Sequence, residues 1–155
     1  MTETKPIDRT RWTRRIAACV LGADAVFHVY WLTGATWPAA DERALSLAVL
    51  GFVVPFSART LIPLALALSV SAVALWRGTG RVARLIALAV ALGTGVQVPL
   101  RLAWALGLGR PDAGPVFAWL NVGVYLPLCG FLAVVAFQVA RSGTHNWLPR
   151  FATRR

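Results

Sequence analysis

The sequence is short of most things that stabilise or activate a small soluble protein. Of 155 residues only 14% are charged, Asp and Glu together number 6, and there are 2 Cys, 2 His and 1 Met. Cys19 and Cys129 are too few for a disulfide scaffold and form no Cys-x-x-Cys pair for thiol redox chemistry. His28 stands in the body of the chain and His145 in its C-terminal tail, so neither the three or four ligands of a zinc site nor a bis-histidine haem site is available. No metal and no cofactor is therefore expected. The Gly-x-Ser-x-Gly elbow of serine hydrolases is missing. So is a phosphate-binding glycine loop, because Gly93-Thr-Gly95 lies inside an apolar run.

In their place stands hydrocarbon. Hydrophobic residues make up 57% of the chain and the mean hydropathy is +0.63. Soluble domains average roughly 45–50% apolar and about 25% charged residues. A chain this short cannot hide such an excess in its own core, and the same numbers exclude disorder. Lipid must be part of its solvent. The net charge of +10 does not point to nucleic acid, since the basic residues sit in short clusters between apolar runs.

Four runs are long enough to cross a bilayer, which takes about 17–25 residues of helix: 16–34, 61–76, 85–106 and 116–140. The expected fold is an all-α integral membrane four-helix transmembrane bundle, with basic tails at 1–15 and 141–155. A fifth apolar run, 44–56, lies between Arg43 and Arg59 and contains Gly51 and Pro55. It is too short to span and reads as a short interfacial helix or re-entrant segment in the first outer loop. Were it to span, every later loop would change side. The first span contains Asp24 and His28 and exceeds the apolar core of a cleaved signal peptide, so it reads as a retained anchor.

Charge sets the orientation. Lys5, Arg9, Arg11, Arg14, Arg15, Arg77, Arg81, Arg84, Arg141, Arg150, Arg154 and Arg155 fall on one side of a four-span protein. Arg43, Arg59 and Arg110 fall on the other, offset by Asp41, Glu42 and Asp112. Both termini are expected in the cytoplasm. Tryptophan favours the headgroup level. Trp12, Trp76 and Trp147 fall at the inner ends of spans, and Trp31, Trp37, Trp104 and Trp119 at or near the outer ends.

Polar residues within spans are costly and carry most of the functional information. Three spans hold a polar pair at i, i+4, and so on one helix face: Asp24 with His28, Gln97 with Arg101, and Asn121 with Tyr125. At a rise of about 1.5 Å per residue, Asp24 and His28 lie about 12 and 18 Å above the inner edge, and Gln97 and Arg101 about 18 and 24 Å. Asn121 and Tyr125 lie about 7 and 13 Å below the outer edge. All three stripes share the outer half of a core about 30 Å thick. Together they predict an outward-opening polar pocket, floored by Asp24 and rimmed by Trp31 and Trp104. Pro99, with Gly93 and Gly95 nearby, is expected to free a carbonyl and bend the third helix, and Pro127 the fourth.

Several readings of this pocket stay open. It can hold a lipid-like or small amphipathic ligand on His28, Tyr30, Trp31, Gln97, Arg101, Trp104, Asn121 and Tyr125. It can be helix glue, with Asp24 and Arg101 neutralising each other by a tilt or bridge over an axial gap of about 12 Å, Arg101 snorkelling to the outer headgroups or meeting Asp41 or Glu42, and the amides bonding across helices. It can be a proton or ion path. A carboxylate one turn from an imidazole also has the geometry for acid–base work by Asp24 and His28 on a lipid or isoprenoid, which leaves enzymatic activity open. Membrane lipid, a larger membrane complex or a second copy of the chain are the partners this composition admits.

The segment His28-Val-Tyr-Trp-Leu-Thr-Gly-Ala-Thr-Trp-Pro38 resembles the His-x-Tyr-Trp and Gly-x-x-Trp signature of a family of small actinobacterial membrane proteins, the domain of unknown function numbered 3995. Val54-Pro-Phe-Ser57 fits the same pattern. The resemblance implies a four-span protein of the bacterial plasma membrane. It singles out His28, Tyr30, Trp31, Gly34 and Trp37, and it implies no reaction.

Overall fold

The computed structural model describes residues 9–109 and 114–142, and every regular element among them is helical. These are α1 (Arg9–Leu32), α2 (Glu42–Leu50), α3 (Ala58–Arg77), α4 (Arg81–Ala105) and α5 (Gly114–Arg141). By length and composition α1, α3, α4 and α5 can each cross a bilayer, which makes this a multi-pass membrane protein. Lys5, Arg110, Asp112, His145, Trp147, Arg150, Arg154 and Arg155 lie outside the described residues.

Helix boundaries differ from the apolar runs for local reasons. α1 starts at Arg9, well before Ile16, because arginine is a good helix former and its stem can lie along apolar surface. The Arg15 guanidinium sits 5.1 Å from the Trp76 ring centre. At the other end α1 stops at Leu32 instead of reaching Gly34, whose φ of +84° ends the helix in a turn. The second span is longer than its apolar run, 20 residues closed by Gly78 at φ +62°.

The 44–56 run divides into a nine-residue helix and an irregular return. α2 begins where Asp41 Oδ1 accepts the Ala44 N–H at 2.7 Å and ends at Gly51, φ +84°. At about 1.5 Å per residue it is far too short to cross a bilayer. The return is fastened by side chains. The Ser46 hydroxyl donates to the Phe52 carbonyl at 2.8 Å and accepts from the Val54 N–H at 2.8 Å, and the Glu42 carboxylate accepts the Phe56 N–H at 2.6 Å.

α1 packs along α3, and α4 along α5. The two pairs join through α3 against α4 and α1 against α5, while α2 lies on the head of α5. The ends are built differently. At the basic end the core is largely alanine, with Ala17, Ala18, Ala87, Ala91 and Ala136 among Leu21, Leu75, Leu132, Val135 and Val139. Small residues let helix backbones approach closely where lipid supplies no hydrophobic drive. Here too the Arg14 guanidinium of α1 occupies the space a Cβ would take at Gly78. At the α2 end the core is Trp31, Leu45 and Leu61, with Phe56 and Val49 against them.

Among the described tryptophans, Trp12 and Trp76 stand at the basic end and Trp37, Trp104 and Trp119 at the other. Trp31 lies at the same end, in the last turn of α1, but faces the protein. It is buried, and its indole N–H donates to the Trp37 carbonyl at 3.1 Å.

Ser46 has no exposed surface. Ser46→Ala strands the Val54 N–H and should cost about 1–3 kcal/mol. In detergent its melting temperature should fall and proteolysis across 51–57 should accelerate. A wild-type melting curve would show that the return does not depend on this hydroxyl.

Candidate functional site

The α1 wall of the site is an Asp24–His28–Trp31 stripe. His28 Nδ1 lies 2.8 Å from the Asp24 carbonyl oxygen and 3.4 Å from its carboxylate. A carbonyl can only accept, so Nδ1 carries the proton and the lone pair of neutral His28 is on Nε2. The His28 side chain is 12% exposed and that of Asp24 is 49% exposed. The imidazole meets Trp31 edge-on at 5.2 Å. Trp31 in turn stacks on Phe56 at 5.5 Å, and Phe27 on Trp37 at 6.3 Å. The run of four and three residues from Asp24 to Trp31 puts all three on one helix face.

The opposite wall is a reciprocal clamp between α4 and α5. An Arg101 guanidinium N–H donates to Asn121 Oδ1 at 3.2 Å, and Asn121 Nδ2 donates to the Arg101 main-chain carbonyl at 2.9 Å. Asn121 is 2% exposed. The guanidinium carbon lies 4.6 Å from the centre of the Tyr125 ring, a cation–π contact. Arg101 Nε is buried and has no hydrogen-bond partner among the described residues.

A change of helix type serves the clamp. Between its α-helical stretches Gly114–Leu120 and Leu126–Arg141, α5 passes through a π turn at Asn121–Tyr125, where the Leu126 N–H bonds to the Asn121 carbonyl. Pro127 has no N–H to offer the Gly123 carbonyl, so the α-helical register is already broken there. Such π turns recur at functional sites. Here the first and last residues of the turn are the two that grip Arg101. α4, by contrast, remains α-helical through Pro99.

Between the walls and beneath α2 lies a chamber of about 700 Å³. Phe27, Trp31, Trp37 and Pro38 line one side, Ala44, Leu45, Leu47, Ala48 and Val49 of α2 the roof, and Val116, Leu120 and Tyr125 of α5 the far side. That volume suits a drug-sized or single-chain molecule. Tyr125 is the hinge of the arrangement, since its ring faces the chamber and also carries Arg101.

The sequence-derived candidates divide accordingly. Trp31 and Tyr125 line the chamber; Asp24, His28, Arg101 and Asn121 do not, although His28 touches Trp31 and Arg101 touches Tyr125. Trp104 packs at 5.7 Å on Phe117, which is itself buried, and braces α4 against α5. Gln97 and Tyr30 are exposed on their helices. The direct Asp24–Arg101 neutralisation does not form: Asp24 pairs with His28, and Arg101 with Asn121. Nor does Arg101 reach Asp41 or Glu42, which hold the backbone of α2 and its return. Phe27 and the α2 residues escaped sequence reasoning because they are apolar. Their one signal was Asp41-Glu42 ahead of an apolar run and Gly51 after it, a capped short helix.

No group of three His, Cys, Asp or Glu side chains converges among the described residues. Comparison with family models, curated proteins and solved structures finds no match. The functional reading therefore rests on geometry.

The clamp can be tested by a double-mutant cycle. Asn121→Leu strands the guanidinium and should destabilise the protein by about 1.5–3 kcal/mol. Arg101→Met in the same chain should restore part of the loss, with a coupling of about 0.5–3 kcal/mol. Additive losses in melting temperature would mean the two side chains do not act as a pair.

Proposed function

We propose that this chain is a small four-helix-bundle protein of a bacterial plasma membrane, with both termini cytoplasmic, whose outer-half chamber binds a lipid-like or small amphipathic molecule, alone or as the accessory subunit of a larger membrane complex. The chamber carries this reading. It offers a half-open aromatic and aliphatic cleft with one phenol in its wall and a guanidinium against that phenol. Such a lining favours an apolar body ending in a polar group. The orientation is supported by the crowding of Arg14, Arg15, Arg77, Arg81 and Arg84 at one end of the helices, against Arg43 and Arg59 at the other. The likeness of residues 28–38 to the actinobacterial family agrees with this setting.

A second reading is favoured by the His28 geometry. With Nδ1 held by Asp24, Nε2 is a free base one helix turn from the chamber lining, suited to moving a proton on a bound lipid or isoprenoid.

Mass spectrometry of the purified protein tests the first reading. A discrete amphiphile should co-purify with the wild type. Ala48→Trp, which fills the chamber from its roof, should lose it at unchanged melting temperature. An empty wild type, or a variant that retains the molecule, would end the binding proposal. The second reading requires a membrane lipid extract to change composition with the wild type and not with His28→Gln; identical extracts would dismiss it.

A further inference from the structure

Two apolar grooves flank the start of α4, at the opposite end of the molecule from the chamber. One, of about 420 Å³, runs between α3 and α4 past Val73, Val82 and Ile86 and ends at Arg77 and Thr79. The other, of about 360 Å³, lies between α4 and α5 and is headed by Arg81 and Arg84. Their walls are open to the surroundings, with Val73 50% and Val82 70% exposed.

The arginines at the start of α4 run against their own helix, whereas Arg77 suits the C-terminal end of α3. A helix N-terminus is the positive end of the macrodipole and leaves amide hydrogens without acceptors. The first turn of α4 nevertheless contains no acidic residue, and its cap, Gly80, has no side chain to accept those amides. Instead Arg81 opens the helix and Arg84 follows one turn on, while Arg77 ends α3 beside the same turn. The Arg84 Nε donates to the Ala140 carbonyl. Neither Arg77 nor Arg81 enters an ion pair among the described residues. The adverse placement of Arg81 becomes favourable with an anion at the turn, and the groove headed by Arg77 is complementary to an alkyl chain.

We propose that the α3–α4 turn binds an anionic glycerophospholipid of the bilayer, its phosphate between Arg77 and Arg81 at the start of α4 and an acyl chain along Val73, Val82 and Ile86. The site does not depend on what the chamber holds; it depends on α3 and α4 standing in lipid. Basic pockets between spanning helices are a recurrent form of headgroup recognition, and the groove adds selection for a chain.

The experiment offers the detergent-purified protein equal amounts of phosphatidylglycerol and phosphatidylcholine and measures retained lipid by native mass spectrometry. Phosphatidylglycerol should be retained preferentially. Arg77→Gln with Arg81→Gln should reduce its retention about tenfold or more. Val73→Trp, which obstructs the groove with both arginines in place, should reduce it comparably. Arg43→Gln with Arg59→Gln, at the other end, and Ala48→Trp, in the chamber, should leave it unchanged. Equal retention of the two lipids, an unaltered double-arginine variant, or displacement by millimolar inorganic phosphate alone would overturn the proposal. Should the double-arginine variant fail to accumulate, Val73→Trp decides: wild-type retention refutes the site and loss supports it.

Discussion

Helices that face lipid on one side and each other on the other gain little from burying apolar surface, since hydrocarbon is present in both places. Contact is then governed by how closely backbones can approach and by the few polar groups that cannot be left to lipid. This chain applies the two controls at opposite ends. Alanines 17, 18, 87, 91 and 136 permit close approach at the basic end. Phe27, Trp31, Trp37 and Tyr125 hold space at the other. The chamber is the geometric result of small residues at one end and large ones at the other, with α2 covering the gap.

Polar satisfaction then decides which surfaces face each other. A guanidinium within a span is costly unless its donors find acceptors. Asn121 is suited to the task because it accepts from the Arg101 side chain and donates to the Arg101 carbonyl, using both ends of its amide. The same logic governs the loop that carries α2, where Asp41, Glu42 and Ser46 each spend their oxygens on main-chain groups. Polar side chains that sequence alone would assign to solvent or to a ligand are here occupied with the backbone.

That contrast marks how far the sequence could be read. The four spans were legible because a bilayer demands long uninterrupted runs, and the stripes at Asp24/His28 and Asn121/Tyr125 because helical spacing places i and i+4 together. The partner of Arg101 was not legible. Charge complementarity points to Asp24, whereas the packing of α4 along α5 brings Asn121 instead, and that choice is tertiary. The π turn was invisible apart from Pro127, which signals a broken hydrogen bond and not the form of its repair. Residues 33 and 34 look like span by hydropathy, but the positive φ of Gly34 makes them a turn. The apolar lining drawn from α2 carries no chemical mark and becomes functional only through its place above the walls.

Gly78 shows a different kind of dependence. Its missing side chain is required by α1, because the Arg14 guanidinium fills that volume at the connection between α3 and α4. The two segments are far apart in the chain yet in steric contact, with no helix core between them. Any side chain at position 78 would have to evict that guanidinium, so the α3–α4 connection and the first helix share one steric constraint.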